Sequence, residues 1–421
     1  MKIAEVTALQ IFDSRGNPTI EARIKLENGI VGAGLVPSGA STGQFEAHEL
    51  RDGDPSRLRG KSVFQAIKNV ETEIADNIRG MNVSDQAGLD SVLIRLDGTP
   101  NKSRLGANAI LAVSMAAARA TANARAVPLF RSLGEGTLLP LPEIQLIGGG
   151  AHANWVIDVQ DFMMVANGAE SYEQALEMTF EVYHAAGEIL EKRGQRFGLA
   201  DEGGYWPAIS SNQEAFEVCL QAIESAGLKP GKEVSLSLDI AASDLFDGER
   251  YHFRSEKKSF SREQFVQLMK GWCEDYPIIS LEDPFADTDR ESWRTLNREI
   301  GERVQLIGDD LFVTNPTRIQ QGIDEALANA VLIKLNQIGT VTETLDAIRL
   351  TQKAGWRPVI SARSGETEDA FIAHLAVATN AGQLKVGSFA RSERMVKWNE
   401  VLRIARDLGS QATFNATAFR R

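Results

Sequence analysis

Six charged residues stand at or just after the ends of short apolar runs, where a fold could gather them into one site. They are Asp239, Glu282, Asp309, Lys334, Arg363 and Lys385. Three carboxylates gathered together would repel one another unless a cation lay between them. Carboxylate oxygens are hard ligands, and the chain has only two cysteines and no suitable histidine cluster, so Mg²⁺ fits better than Zn²⁺. The pattern predicts a magnesium site.

Lys334 is the candidate general base of such a site. A lysine beside a divalent ion and a second cation, Lys385, should have its charged form disfavoured, which lowers its pKa toward neutrality. A base next to Mg²⁺ suits the removal of a proton beside a carboxylate, because the metal neutralises the extra charge of the enediolate that forms. The residues therefore indicate metal-assisted proton abstraction.

The spacing of the charged residues predicts the elements that hold them. From Glu282 onward they recur at intervals of 22 to 29 residues, about the length of a strand, a helix and their loops. The apolar runs are continuous, as in strands buried on both faces, and their regular repetition favours a closed (β/α)₈ barrel over an open sheet. In such a barrel, the C-terminal strand ends meet at one mouth. The predicted class is α/β.

A smaller α+β unit precedes the barrel. Residues 19–36 alternate as strands do, with Asn28-Gly29 as a hairpin turn, and apolar residues from about 61 to 125 recur at helical spacing. The segment TLLPLPEIQL contains two prolines and reads as a connection. We expect an N-terminal α+β capping domain over residues 1–130 and a barrel domain over residues 131–421.

Composition excludes several classes of protein. The net charge of −12 argues against binding to nucleic acid or to an anionic membrane surface. The N-terminus has no apolar signal core, and no segment approaches the roughly 20 apolar residues of a membrane span. We expect a cytoplasmic protein without disulfides.

Motifs along nearly the whole chain resemble the signatures of the enolases, also called phosphopyruvate hydratases. They are SRGNPT (14–19), SGASTG (38–43), KSRLGANAILAVSMA (102–116), DEGG (201–204), SLEDPF (280–285), GDDLFVTN (308–315), KLNQIGTVTET (334–344), RSGETED (363–369) and RSER (391–394). The resemblance implies an enolase-type barrel that interconverts 2-phosphoglycerate and phosphoenolpyruvate. It implies a small phosphorylated acid as substrate.

The resemblance also implies roles for matching positions. The ligands of a first Mg²⁺ would be Asp239, Glu282 and Asp309. Lys334 would remove the proton α to the substrate carboxylate, and Glu202 would help the hydroxyl leave as water. Further residues that line the pocket would be Gln160, Asp161 and His152.

The phosphate group is implied to bind Arg363 and Ser364, and the substrate carboxylate Lys385. Arg363 offers a planar fork of donors, and we expect Ser364 to begin a helix whose positive end favours an anion. Ser41, beside Ala40 in the SGASTG loop, would ligate a second Mg²⁺ when substrate is bound. Arg15 matches a stretch at the family's dimer contact, which implies a homodimer or higher oligomer.

Several positions depart from the enolase pattern near one end of the implied pocket. Ala362 stands where the family has histidine, and Asp161 in QDFM replaces glutamate, which withdraws a carboxylate by about 1.5 Å. ADEGGYWP replaces GDEGGFAP, so Trp206 stands where alanine is usual, and Gly148 replaces the asparagine of NGG. The groups around the leaving hydroxyl are altered, whereas those around the metal and phosphate are kept.

Three functions remain open from the sequence. The chain is an enolase, or it acts on a related phosphorylated or phosphonylated acid, as carboxyphosphonoenolpyruvate synthase does, or it is a non-catalytic enolase-like binding protein. The last predicts a decayed metal site, which the intact carboxylates oppose. Racemases and lactonising enzymes usually carry Lys-x-Lys on the second barrel strand, where this chain has VQDFM.

Overall fold

The N-terminal part of the chain is an antiparallel sheet covered by helices. The computed structural model describes residues 1–40 and 43–416. The sheet consists of β1 (Ile3–Phe12), β2 (Pro18–Leu26) and β3 (Val31–Leu35). The predicted Asn28-Gly29 turn joins β2 to β3, and Gly29 has a φ of 85°, which glycine adopts readily.

Helices follow the sheet in sequence. They are α1 (Phe64–Asn69), α2 (Ala75–Ile78), α3 (Gln86–Asp97), α4 (Ala107–Ala124) and α5 (Leu129–Leu133). α4 is the alanine-rich helix that propensity predicted, and it packs against β2 and β3. The expected α+β unit is confirmed.

Eight strands of the following segment close into a barrel. The strands after β3 are β4 (Leu138–Leu139), β5 (Leu141–Gly148), β6 (Asp161–Val165), β7 (Arg196–Leu199), β8 (Tyr205–Pro207), β9 (Ser235–Asp239), β10 (Tyr251–Phe253), β11 (Lys258–Phe260), β12 (Ile278–Glu282), β13 (Gln305–Gly308), β14 (Ala330–Ile333), β15 (Arg357–Ser361), β16 (Gln383–Gly387) and β17 (Thr413–Phe414). The barrel order is β5, β6, β9, β12, β13, β14, β15 and β16, and β16 pairs with β5. The predicted barrel is confirmed.

Helices surround this barrel. They are α6 (Tyr172–Lys192), α7 (Asn212–Ser225), α8 (Arg262–Asp275), α9 (Arg290–Ile300), α10 (Pro316–Asp324), α11 (Leu335–Ile338), α12 (Val341–Lys353), α13 (Phe371–Ala378) and α14 (Ser392–Leu408). Within the described residues, none of the helices combines the length and apolar character needed to cross a membrane.

One strand departs from a uniform βα order. β6 runs antiparallel to both of its neighbours, β5 and β9, so the barrel begins with an antiparallel pair of strands. The reversal brings the first residue of β6 level with the last residues of the adjacent strands. Asp161 therefore pairs with Gly148 on one side and with Asp239 on the other. A strand start thus contributes to the same rim as the strand ends.

Candidate active site

The strand ends bring three carboxylates to the rim of the barrel. Asp239 and Glu282 are the last residues of β9 and β12 and are paired in register, and Asp309 follows β13 directly. Lys385 Nζ lies between the first two, 2.9 Å from Asp239 Oδ2 and 2.7 Å from Glu282 Oε2. Lys334 follows β14, and its Nζ lies 2.5 Å from Asp309 Oδ2. These five residues form one cluster of alternating charge, in which Asp239, Glu282 and Lys385 are buried and Asp309 and Lys334 are partly buried.

Glu282 has the features of a ligand for a divalent cation, although the acidic group around Asp309 whose ligating atoms lie within 4.8 Å of one another consists of Asp283, Asp309 and Asp310. Glu282 is fully buried, and burial together with the charge of Asp239 raises its pKa well above the usual range. Among the described residues, Glu282 Oε1 has no hydrogen-bond partner. A buried carboxylate oxygen without a donor is costly, and a hard cation would satisfy it.

The pKa of Lys334 is raised in this arrangement, contrary to the sequence expectation. Burial lowers it, but the facing Asp309 carboxylate outweighs burial. The expected lowering of this pKa assumed a divalent ion beside Lys334. The charge of that ion would offset the charge of Asp309. The side chains alone do not lower this pKa.

Arg363 and Ser364 lie where the N-terminal part meets the barrel. The Arg363 guanidinium donates to Glu46 Oε2 at 2.9 Å and to Asn336 Oδ1 at 3.0 Å. Ser364 Oγ accepts the backbone N–H of Ala40 at 2.7 Å. The expected helix start at Ser364 is wrong, because α13 begins only at Phe371. The intervening turn is instead held by contacts with the N-terminal loop.

Part of the SGASTG loop is described. Ser38 exchanges two backbone hydrogen bonds with Gly365, at 2.8 and 2.9 Å, which fixes the start of the loop against the barrel. Ser41, the expected ligand of a second metal ion, lies outside the described residues. Gly39, Glu46 and Asn336 are among the residues that line a cavity of about 490 Å³.

Three titratable groups form the opposite end of the site. His152, Asp161 and Glu202 are buried, and one ligating atom of each lies within 4.8 Å of the others. Burial lowers the pKa of His152, but its contact with Asp161 and the charge of Glu202 outweigh burial and raise that pKa to about 9. Burial raises the pKa of Asp161, but His152 and Lys385 bring it down to about 2. These neighbouring charges favour the protonated form of His152, whose Nδ1 lies 3.4 Å from Asp161 Oδ1.

Gln160 and Ala362 complete the rim. Gln160 Nε2 donates to Asp239 Oδ2 at 3.1 Å, so Gln160 lies beside the carboxylate cluster. Ala362 is buried, and its backbone N–H donates to the Lys385 carbonyl at 2.9 Å. Trp206 packs edge-to-face on Phe197, with ring centroids 6.0 Å apart.

Sequence reasoning missed several residues that hold the site. The Asp283 carboxylate accepts the backbone N–H groups of Asp309 and Asp310, both at 2.8 Å, and Gln337 Nε2 donates to Asp309 Oδ1 at 2.7 Å. Glu46 was missed too. Asp283 and Asp310 directly follow candidate ligands in the sequence, and Gln337 lies three residues after Lys334. Their closeness to a candidate residue was the signal that the sequence offered.

Comparisons with known proteins agree with this geometry. The family model "Enolase, N-terminal domain" matches residues 3–133, and "Enolase, C-terminal TIM barrel domain" matches residues 136–421. The chain is similar to "Enolase 1" of Desulfitobacterium hafniense (strain Y51), with 53% identity over 418 residues, which cover 98% of this chain and 95% of the relative. Two family models that together match nearly the whole chain, and a relative 53% identical over 98% of it, show that the chain belongs to the enolase family.

Proposed function

We propose that this protein is a magnesium-dependent lyase that interconverts 2-phosphoglycerate and phosphoenolpyruvate through an enediolate. Its membership of the enolase family supports the reaction. The observation that carries the proposal is the position of Lys334 across the barrel mouth from the cluster of His152, Asp161 and Glu202. β14, which precedes Lys334, and β6, which begins with Asp161, are four positions apart in the eight-stranded order.

This opposition suits an elimination in which proton and hydroxyl depart from different sides of the substrate. Lys334 would take the proton α to the carboxylate, and Glu202, beside Asp161 and the protonated His152, would give a proton to the departing hydroxyl. The raised pKa of His152 keeps a cation near that hydroxyl. The loss of the family's histidine at Ala362 leaves these groups to act alone.

The carboxylate cluster would hold the metal. Asp239, Glu282 and Asp309 would bind a divalent cation, which we propose to be Mg²⁺, and this ion would neutralise charge that develops on the substrate carboxylate. We propose that a second Mg²⁺ arrives with substrate and involves Ser41. Hard oxygen ligands support magnesium over softer metals.

The substrate's two anionic ends would be bound by separate cations. Arg363 and Ser364, with Ala40 from the N-terminal loop, would hold the phosphate, and Glu46 would yield part of its contact with Arg363. Lys385 would bind the substrate carboxylate together with the metal. Gln160 would line the pocket between them.

The domain organisation, the oligomeric state and the location of the protein can also be proposed. We propose that residues 1–130 cap the barrel of residues 131–421 and that the chain forms a homodimer that works in cytoplasmic glycolysis. The contacts of Ala40 and Glu46 with the barrel support the capping role. The net charge of −12 supports a small-molecule substrate over nucleic acid.

The test is an absorbance assay of the purified protein. Addition of 2-phosphoglycerate and Mg²⁺ should give an ultraviolet rise from the enol product, and Lys334→Ala should reduce its rate by at least about 1,000-fold. Chelation of the metal should abolish the rise. Lys270→Met, which removes a lysine from a surface ion pair, is the matched control and should keep the wild-type rate.

No rise despite calorimetric binding of Mg²⁺ would refute the proposed substrate. It would favour the related phosphorylated or phosphonylated acids that the changes at Ala362 and Asp161 suggest. Failure to bind Mg²⁺ at all would instead favour the non-catalytic binding protein.

A further inference from the structure

Gln145 joins two parts of the leaving-group end of the site. It lies on β5 and is fully buried. Its Nε2 donates to Asp161 Oδ1 in a very short hydrogen bond, and its Oε1 accepts the backbone N–H of Gly204 at 2.8 Å. Because a carboxylate accepts and an N–H donates, the amide can take only this orientation.

The second contact fixes the loop that carries Glu202. Gly204 is two residues from Glu202, whose backbone carbonyl accepts the N–H of Ser388 at 2.9 Å. Ser388 Oγ in turn donates to the backbone carbonyl of Gln145 at 2.6 Å. Gln145 therefore touches both Asp161 and the two segments that hold Glu202.

Neighbouring glycines leave no space for a Cβ beside the Gln145 side chain. A Cβ placed on Gly204 would lie 2.5 Å from Gln145 Oε1, and one on Gly148 would lie 3.3 Å from Gln145 Nε2 and 2.5 Å from the Cβ of Ala200. Glycine at 148 is thus required by Gln145 and Ala200. A longer acid at position 161 would extend its carboxylate into the space of Gln145 Nε2, because the shorter Asp161 already reaches that donor.

We propose that Gln145 is a positioning residue whose length is matched to the short side chain of Asp161, so that it sets the distance between the Asp161 carboxylate and Glu202. The inference rests on the proposed roles of Asp161 and Glu202. A shorter amide at 145 would release one partner, and a longer acid at 161 would collide with the amide. Both changes together would restore the summed length of the two side chains.

A double-mutant cycle tests the match. Gln145→Asn and Asp161→Glu should each lower kcat by about 100-fold with KM for 2-phosphoglycerate changed by less than about threefold, because the reacting groups are misplaced by about 1 Å. The double variant should recover kcat to within about tenfold of wild type. A purely structural loss would not be rescued by a second substitution that is itself harmful.

Gln305→Asn is the matched control. Gln305 is a second buried barrel glutamine, whose Nε2 donates to Gln383 Oε1 at 2.7 Å. Gln305→Asn shortens a buried amide side chain in the same way as Gln145→Asn. Combining Gln305→Asn with Asp161→Glu should not restore the kcat that Asp161→Glu loses. Multiplicative losses in the Gln145–Asp161 cycle, or wild-type kcat in Gln145→Asn, would overturn the proposal.

Urea unfolding separates this proposal from the proposed function. The midpoint should fall in each single variant and return toward wild type in the double variant, whatever the substrate is. If the wild type lacks activity on 2-phosphoglycerate but the midpoints show this recovery, the function is wrong and the length match stands. Additive midpoint shifts would refute the match even in an active enzyme.

Discussion

At the scale of single residues, Lys385 supplies the positive charge that balances two buried carboxylates, a task that a metal ion could also perform. Its ammonium group contacts Asp239 and Glu282, and both carboxylates are almost fully buried. Burial lowers the pKa of Lys385, but these carboxylates raise it well above its usual range. The lysine therefore holds the two carboxylates together, and under the proposed function it would also present a positive charge to the substrate carboxylate.

Replacement of Lys385 should expose this dependence. Lys385→Met should lower the free energy of unfolding by about 3 to 5 kcal/mol without metal, because two buried carboxylates lose their partner. Saturating Mg²⁺ should recover most of the loss, since the cation takes its place. Urea unfolding with and without Mg²⁺ measures both values. The surface variant Lys270→Met should cost less than about 1 kcal/mol in either condition. Equal losses with and without Mg²⁺ would contradict the argument.

At the scale of elements, strand spacing predicted the barrel but not the direction of every strand. The apolar runs before Asp239, Glu282, Asp309 and Lys334 became strands that end at or directly before the charged residue. The expectation was wrong for Lys385, which lies in the middle of β16. β6 has the apolar run FMMV after Asp161, and an apolar run reads alike in both directions. Its reversal depends on pairing with β5 and β9, which the local sequence does not encode.

Gly148 at the end of β5 and Ala200 just after β7 are in close contact, and substitutions at the two positions test whether their sizes depend on one another. Gly148→Ala should lower the free energy of unfolding by about 1 to 3 kcal/mol, because the new Cβ would lie 2.5 Å from that of Ala200. Ala200→Gly alone should cost about 1 kcal/mol through backbone entropy. The double variant should recover most of the Gly148→Ala loss in thermal or urea unfolding. A loss that persists unchanged in the double variant would show that Ala200 is not the obstacle.

At the scale of the whole molecule, the site depends on contacts between distant parts of the chain. Glu46 and Arg363 are 317 residues apart, and Ala40 and Ser364 are 324 apart. Motif resemblance predicted Arg363 and Ser364, yet neither partner could be inferred from local pattern, because a side-chain contact across a domain boundary leaves no periodic signal. Gln145 and Asp161 lie on the neighbouring barrel strands β5 and β6, and their side-chain contact leaves no periodic signal either. The sequence therefore indicated candidate residues for chemistry, whereas the contacts that hold those candidates in place came only from the structure.

Burial inside the barrel also makes the stability of the whole molecule depend on pH. Glu143 on β5 is fully buried, and Ser237 Oγ donates to its Oε2 at 3.1 Å. Burial raises its pKa from 4.5 to about 7, although Lys385 opposes the shift. The unfolded chain ionises this carboxyl above pH 4.5, whereas the folded chain keeps the proton until about pH 7. The unfolded state binds fewer protons in that window, so stability falls as pH rises through it.

Glu143→Gln should remove this part of the pH dependence. The amide stays neutral and can still accept from Ser237, so relative to wild type the variant should gain about 2 to 3 kcal/mol between pH 4.5 and pH 7.5. Urea unfolding of the metal-free proteins at several pH values measures the difference, in which all other titrating groups cancel. Glu299→Gln, at a partly exposed surface ion pair, should run parallel to wild type. If Glu143→Gln ran parallel as well, Glu143 would be ionised in the folded barrel at neutral pH, and Lys385 would have to balance a third buried carboxylate.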